Sequence, residues 1–317
     1  MARAQGARAQ LALGFETAYG TPPEPGGYWR MPFVSSNVGA EQPLLSSDLL
    51  GFGRDPLPPV RDAVTCDGDV VVPIDARFLG VWLKALFGEP ITTGASAPYT
   101  HSFRSGGWTL PSFAAEIGMP DVPYFAMCAG CVANSLAFTM NRSGLITATI
   151  AVVAQGETVG TTSDAGTPTG LALTRFGAAT GAVRRNGSAL GNIVSAQVSY
   201  SNNLDRIETI RNDGMIEGAD PSIAALTGTV EVRFADTTLL AQATAGDPCE
   251  LAFAYAIPSG PSFTLTAHAV YLPKPKLALE GPGGVQASFA WQAALDTTVG
   301  RMATAVLVND QPSYANP

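Results

Sequence analysis

Few residues in this chain could carry chemistry. Cys128-Ala129-Gly130-Cys131 has the spacing of a redox pair or of half a zinc site. A tetrahedral zinc centre needs four ligands, and beyond that pair the sequence offers His101, His268 and two distant cysteines, Cys66 and Cys249. The segment is shortened where the second half of the chain should repeat it, so these thiols read as small apolar residues packed inside. His268 lies on an alternating stretch, with Phe263, Leu265 and Ala267 on one side and Thr264, Thr266 and His268 on the other. That makes it a solvated or interface histidine. Neither a nucleophile elbow nor a phosphate loop occurs, and Gly51-Phe52-Gly53-Arg54 lacks the strand-turn-helix setting of a dinucleotide fingerprint. Nothing sets Glu116 and Asp121 apart from surface charge. The sequence predicts no catalytic residue, no metal site and no cofactor.

The elements around these residues are mainly strands. Apolar residues alternate with polar ones between Gly, Pro, Asn and Asp, the pattern of half-buried strands. Leu136, Phe138 and Met140 alternate with Ser135, Ala137 and Thr139; Ile146, Ala148, Ile150 and Val152 follow across the turn Asn141-Arg142-Ser143-Gly144. Val194, Ala196, Val198 and Tyr200 oppose Ser195, Gln197, Ser199 and Ser201. Val230, Val232 and Phe234 oppose Thr229, Glu231 and Arg233. Gly281-Pro282-Gly283-Gly284 reads as the second half's hairpin turn, ahead of Val285, Ala287, Phe289 and Trp291. Two helices are predicted. One runs from a capping Asp75 to Phe87, stops at Gly88 and carries an apolar stripe of Phe78, Leu79, Trp82 and Leu86, with Leu83 at its border; the other runs from Asp236 to Ala245 before Gly246 and Pro248.

The chain also repeats itself. Val34-Ser35-Ser36-Asn37-Val38 reads again as Val194-Ser195-Ala196-Gln197-Val198, and Gly68-Asp69-Val70-Val71-Val72 as Gly228-Thr229-Val230-Glu231-Val232, both 160 residues on. Gly88-Glu89-Pro90 meets Gly246-Asp247-Pro248, and Pro111-Ser112-Phe113 meets Pro261-Ser262-Phe263. The expectation is a mainly β protein of two tandem sandwich or barrel domains, each with one flanking helix, at residues 1–157 and 171–317. A Thr/Gly/Ser-rich linker at 158–170 joins them.

The 317 residues suffice for two such cores. A formal charge of −8 with 14% charged residues shows no basic stripe, which argues against a nucleic-acid clamp. Four cysteines are too few for a disulfide scaffold. No run of about 18 apolar residues predicts a membrane span, and Leu11 to Phe15 is too short for a signal core. Synthesis and residence in the cytosol are the expectation. Two long polar connections, Ser46–Thr65 and Asn202–Leu226, sit at matching places in the two halves; loops of about 20 residues in compact domains are usually functional.

Several segments together resemble the major tail tube proteins of long-tailed phages. They are the opening Gly14-Phe15-Glu16-Thr17-Ala18-Tyr19-Gly20-Thr21-Pro22, then Met31-Pro32-Phe33, the Gly/Pro-rich arm, Gly68 to Asp75, the Leu/Trp helix ending Phe87-Gly88, the Pro111-Ser112-Phe113 strand and the closing hairpin. The likeness covers essentially the whole chain. It implies a β-sandwich with a flanking helix and a structural role in the virion, with synthesis in the host bacterial cytoplasm. The commoner tube subunit carries one such domain and forms hexamers; the fused pair here resembles siphophage tubes built of trimeric, pseudo-hexameric rings.

The resemblance implies a hollow tube that first encloses a tape measure protein, then conducts double-stranded DNA to the host without specific binding. The other partners are further copies of the chain, a tail terminator and distal tail or baseplate proteins, with no membrane insertion. Inter-ring contacts fall to the arms, Asp48 to Val60 with Asp48, Leu50, Phe52, Arg54 and Asp55, and Asn203 to Asp220 with Arg206, Glu208, Arg211, Asp213 and Glu217; both arms are expected to be loose until assembly. Glu41, Asp69 and Glu231 either line the channel or stand on the outer surface. Other readings are a terminator or baseplate ring of the same fold, or a carbohydrate- or receptor-binding sandwich. The last would want clustered exposed aromatics, whereas Trp29, Trp82, Trp108 and Trp291 are dispersed.

Overall fold

The computed structural model describes residues 3–258, 260–276 and 283–317. Of the turn expected at 281–284, Gly281 and Pro282 lie outside the described residues.

The first half contributes β1 (Gln10–Phe15), β2 (Trp29–Arg30), β3 (Ser35–Ser36), β4 (Gly39–Glu41), β5 (Leu44–Leu45), β6 (Val60–Arg61) and β7 (Thr65–Pro73). Helix α1 (Leu79–Phe87) follows, then β8 (Ile91–Thr93), β9 (Tyr99–Arg104), β10 (Phe113–Met119), β11 (Tyr124–Asn141), β12 (Thr147–Ala154) and β13 (Gly156–Gly160). The second half contributes β14 (Gly181–Arg185), β15 (Ser188–Ala189), β16 (Ile193–Ser201), β17 (Asp205–Ile207), β18 (Gly218–Asp220) and β19 (Ala225–Arg233). It ends with α2 (Thr238–Ala245), β20 (Cys249–Ala256), β21 (Ser262–Tyr271), β22 (Gln286–Ala294) and β23 (Ala303–Asn309). The fold is mainly β, and the strand ladders are antiparallel throughout.

In the central sheet alternation buries one side of the strands and leaves the other more open, whereas β1 and β10 are buried on both sides over most of their length. The central sheet runs β3/β4, β7, β12, β11, β16, β19, β22, so the β11–β16 ladder carries it from one half into the other. Strand β11 bends between layers: residues near Cys128 pair with β10 and β13, and from Val132 the strand pairs with β12 in the central sheet, with a register shift between Ala133 and Ser135. The second layer has two parts, β2–β1–β10–β11–β13 and β15–β14–β20–β21–β23, the latter extended by β9 and β8.

The partner of each strand recurs from half to half. Strand β7 lies between β3/β4 and β12, and β19 lies between β16 and β22. Strands β10 and β20 lead into β11 and β21, and β1 and β14 flank them. A Cβ at Gly68 would meet the Asn37 carbonyl oxygen, and one at Gly228 would overlap that of Gln197. Both repeated glycines are therefore where a neighbouring strand's backbone comes closest. Pro111–Phe113 and Pro261–Phe263 do not hold equivalent places: Phe113 opens β10 opposite Phe15, whereas Phe263 lies in β21 opposite Tyr255. The hairpin β8–β9 has no counterpart after α2, where Gly246 is followed at once by β20.

The cores of the two halves are continuous. One apolar cluster runs from Leu11 to Tyr314, with the ring of Phe87 at 4.5 Å from Tyr200 and that of Phe138 at 6.3 Å from Phe263. Asp75 caps α1 as its position suggests, accepting backbone N–H bonds from Arg77, Phe78 and Leu79 at 3.0–3.1 Å, so regular helix starts at Leu79. The expected stripe was too narrow, because all nine residues of α1 are buried. Strands β9 and β11 pack on the helix, and the C-terminal tail covers it, Lys84 Nζ donating to the Tyr314 carbonyl oxygen at 3.0 Å. Helix α2 buries only Leu239 and Ala243 and ends at Gly246 in the left-handed conformation.

The stretch read as a linker is packed down. Strand β13 extends through Gly160, and the buried Glu116 carboxylate accepts bonds from Ser163 Oγ (2.6 Å), Asp164 N (2.7 Å) and Ala165 N (3.2 Å). Thr169 N then donates to the Tyr28 carbonyl at 2.8 Å. Each partner removes a polar group that burial would otherwise leave unsatisfied.

Candidate functional site

Opposed residues of an antiparallel ladder share a face, so the register fixes what the open side of the central sheet presents. One row is Asp69, Ala151, Ser135, Ser201 and Ala225; the next is Val71, Thr149, Ala137, Ser199, Thr227 and Gln292. Beyond them come Thr147, Thr139, Gln197, Thr229 and Ala290, and then Asn141, Ser195, Glu231 and Ser288. The buried side of the same strands is Val70, Val72, Ile150, Leu136, Phe138, Val198, Tyr200, Val230 and Phe289. A depression in the open face is lined by Thr139, Thr149, Gln197, Ser199, Thr227 and Thr229. On this face β12, β11 and β16 carry no charge; its charges lie on β7 (Asp67, Asp69) and β19 (Glu231, Arg233). The centre of this face, on β12, β11 and β16, offers short dipoles and no fixed charge to grip an ion or a phosphate.

Both ends of the sheet are unpaired. Among the described residues β3 and β4 pair with β7 alone, and residues 286–291 of β22 pair with β19 alone. On β4 the Ala40 N–H is taken by Glu157 Oε2 at 2.8 Å; the remaining outward N–H and C=O groups form edges that another chain can extend.

The two arms differ. The first is the β5–β6 hairpin, and its exposed apolar residues are Leu44, Leu45, Leu49, Leu50, Phe52 and Val60, with Leu50 at 93%. Asp48, Arg54 and Asp55 are exposed beside them. The second arm folds back, contrary to the expectation that both are loose. Its β17–β18 hairpin lies on the end of β12, where Ile216 and Ala219 are buried with Val153. Arg206 pairs with Asp67, Gly214 accepts from Val64 N at 2.9 Å, and Arg211 closes on Asp213 at 2.6 Å. The Arg211 guanidinium holds the Asp213 carboxyl down at about 2. Glu208 and Glu217 belong to the same arm, Glu217 N donating to Ile207 O at 2.8 Å. Apolar burial fixes this arm, which its polar sequence hides.

The residues first weighed for chemistry are inert in this setting. Cys66 and Cys128 are buried with sulfurs 3.9 Å apart, and that contact together with burial pushes the Cys128 thiol well above the ordinary range. Burial does the same to Cys131. Cys128 and Cys131 so placed stay protonated and poorly nucleophilic. His101 is buried; its Nε2 donates to the Gln311 carbonyl at 2.9 Å, Nδ1 accepts from Thr92 Oγ1 at 2.8 Å, and burial lowers its pKa. His268 Nε2 meets Thr304 Oγ1 at 2.8 Å on the neighbouring strand. Among the described residues no group of three or more His, Cys, Asp or Glu could hold a metal.

A polar face that spans both halves, open edges at its ends and an apolar arm describe a subunit made to be extended by others. A family of proteins described as phage tail tube proteins matches residues 6–293. The chain belongs to the phage tail tube protein family. No curated protein matches it. A tail tube protein is a structural protein of the virion that assembles with itself and with other tail proteins. The match ends just after Gln292 of β22, so β23 and the C-terminal tail over α1 lie beyond it.

In this tail tube protein the register brings Asp69 and Glu231 onto the open face, on strands either side of the uncharged centre, and Glu41 stands at the margin opposite Thr65. Glu231 accepts a bond from Ser195 Oγ at 3.1 Å. The first-arm residues Asp48, Leu50, Phe52, Arg54 and Asp55 are exposed, and the second arm meets the chain just past the first, where Val64 N donates to Gly214 O. Sequence reasoning missed the exposed Trp108, the Arg206–Asp67 pair and the Cys66–Cys128 contact. The first had a signal, a tryptophan between Gly107 and Thr109 with no alternating neighbours.

Proposed function

We propose that this chain forms the hollow phage tail tube as stacked trimeric, pseudo-hexameric rings, with the open face of the central sheet turned to the channel. The reading treats the two halves as duplicated staves, so that three chains supply six. The observation that carries it is the continuous polar face with unpaired strands at both ends. A second copy's β3/β4 edge set against the β22 edge would continue the central sheet from chain to chain, and a heterologous contact of that kind closes into a ring when its rotation divides the circle. The matching partners of β7 and β19, and the shared close approach at Gly68 and Gly228, support the duplication.

A channel for DNA must pass phosphates without holding them. Serine, threonine, alanine and glutamine at its centre give no cation to bind, while Asp69 and Glu231, with Glu41 at the margin, add weak repulsion. The same bore holds a tape measure protein before ejection, and rings stack through the arms. A terminator, distal tail and baseplate proteins complete the tail.

Negative-stain microscopy of the purified protein at rising concentration tests this directly. Hollow filaments or doughnuts with three chains per ring are expected; solitary globules at every concentration would overturn it.

A further inference from the structure

The first arm carries exposed Leu49, Leu50 and Phe52 at its tip, and its described hydrogen bond there is local, from Leu49 N to Ser47 Oγ at 3.4 Å. Apolar side chains held out on a hairpin are an interaction surface in want of a receptor. Elsewhere on the molecule is a hollow of about 480 Å³ walled by Trp108, Tyr19, Leu110, Val132 and the β18 strand of the second arm. Trp108 stands at its rim, 76% exposed, and Glu217 and Asp220 line one side without an ion-pair partner among the described residues. The arm tip between Ser46 and Pro59 holds one cation, Arg54, and two anions, Asp48 and Asp55, so its contact surface is the apolar one.

We infer that this hollow receives the first-arm tip of a second copy of the chain, with Leu50 and Phe52 against Trp108. The inference deepens the tube reading, on which it rests, by naming the receptor of the arm. Two points carry it together. The arm's apolar residues are exposed, with no cover among the described residues of their own chain. The hollow pairs an exposed aromatic with apolar walls and has room for one or two large side chains. Every copy bears both the arm and the hollow at different places, a head-to-tail relationship by which one copy can join the next. The folded-back second arm acquires a purpose, since its β18 strand forms a wall of the receptor.

A photoreactive benzophenone amino acid placed at position 52 tests this in the full chain. Isotopically light and heavy protein are mixed, assembled, irradiated and mapped by mass spectrometry. Light-to-heavy adducts on residues 105–112 or 217–221 are expected. Adducts confined to the same chain, or on other surfaces of a second chain, overturn the inference. Trp108→Ala, at an exposed position, should fold normally and lower the adduct yield about tenfold, in keeping with the weight aromatic anchors carry at interfaces; unchanged yield also overturns it. Microscopy of the same samples separates the two claims. Filaments with adducts elsewhere defeat the docking alone, and docking adducts without filaments defeat the tube alone.

Discussion

The phenol ring of Tyr314 lies against the bare Cα of Gly80, so that a Cβ at Gly80 would overlap the ring. The contact joins the last residues of the chain to the helix of its first half. Asn309 Nδ2 donates to the Tyr314 hydroxyl at 2.6 Å and to the Ala76 carbonyl at 2.5 Å, and Asn316 bonds both backbone groups of Phe15 at 2.8 Å. Gly80→Ala should therefore act as an overpacking change, costing about 1–3 kcal/mol. Urea unfolding measures it; an unchanged midpoint would mean that the tail does not hold α1.

Asp75 gives the protein a pH signature. Burial raises its pKa from the ordinary 3.8 to about 6, against the lowering effect of three backbone N–H donors. The folded chain then binds a proton more tightly than the unfolded one between those values. This contribution to stability is full below pH 3.8 and is lost as pH rises through 6, amounting to about 3 kcal/mol at most. Asp310 runs the other way: the Arg77 hydrogen bond lowers it to about 2, so its contribution is present above 3.8 and lost as pH falls toward 2. Asp75→Asn should remove the decline between pH 4 and 6. Thermal melts of both proteins across that range check it, and parallel curves would count against the assignment.

Removing Gly51 to Pro59 takes away the exposed arm tip, whose residues make no packed contribution to the core. The shortened subunit should melt within a few degrees of the parent and fail to polymerise. Sedimentation and microscopy report the two properties separately. Normal tubes from the deletion would show that the arm is dispensable.

Charge on the proposed channel wall is tested by reversal. Glu41→Lys and Asp69→Lys alter exposed carboxylates, so folding and tail assembly should survive, while attraction to phosphate slows genome delivery. Potassium release and infectivity of phage carrying the changes give the readout, with unchanged infectivity telling against a pore role.

Alternation told which side of each strand is buried, as at Phe138 and Thr139, and the Asp75 and Gly88 signals bracketed α1 correctly. Alternation is local and does not name the neighbouring strand. Nothing in Tyr99–Arg104 announces that it pairs with Ala303–Asn309, or that Tyr200 packs on Phe87 across the two halves. The open face was legible residue by residue, yet its continuity depends on the β11–β16 ladder, a long-range pairing. The second arm misled through composition: Arg206, Asp213 and Glu217 promise a solvated loop, whereas Ile216 and Ala219 decide its position by packing on Val153.

The central claim is that the two halves are alternate staves of one cylinder. A cryo-electron microscopy reconstruction of the assembled tube, without imposed sixfold symmetry, tests it most directly. Three chains per ring, with Thr139, Gln197, Ser199 and Thr227 lining the bore, are expected. Six chains per ring, or the same residues on the outer wall, would contradict it.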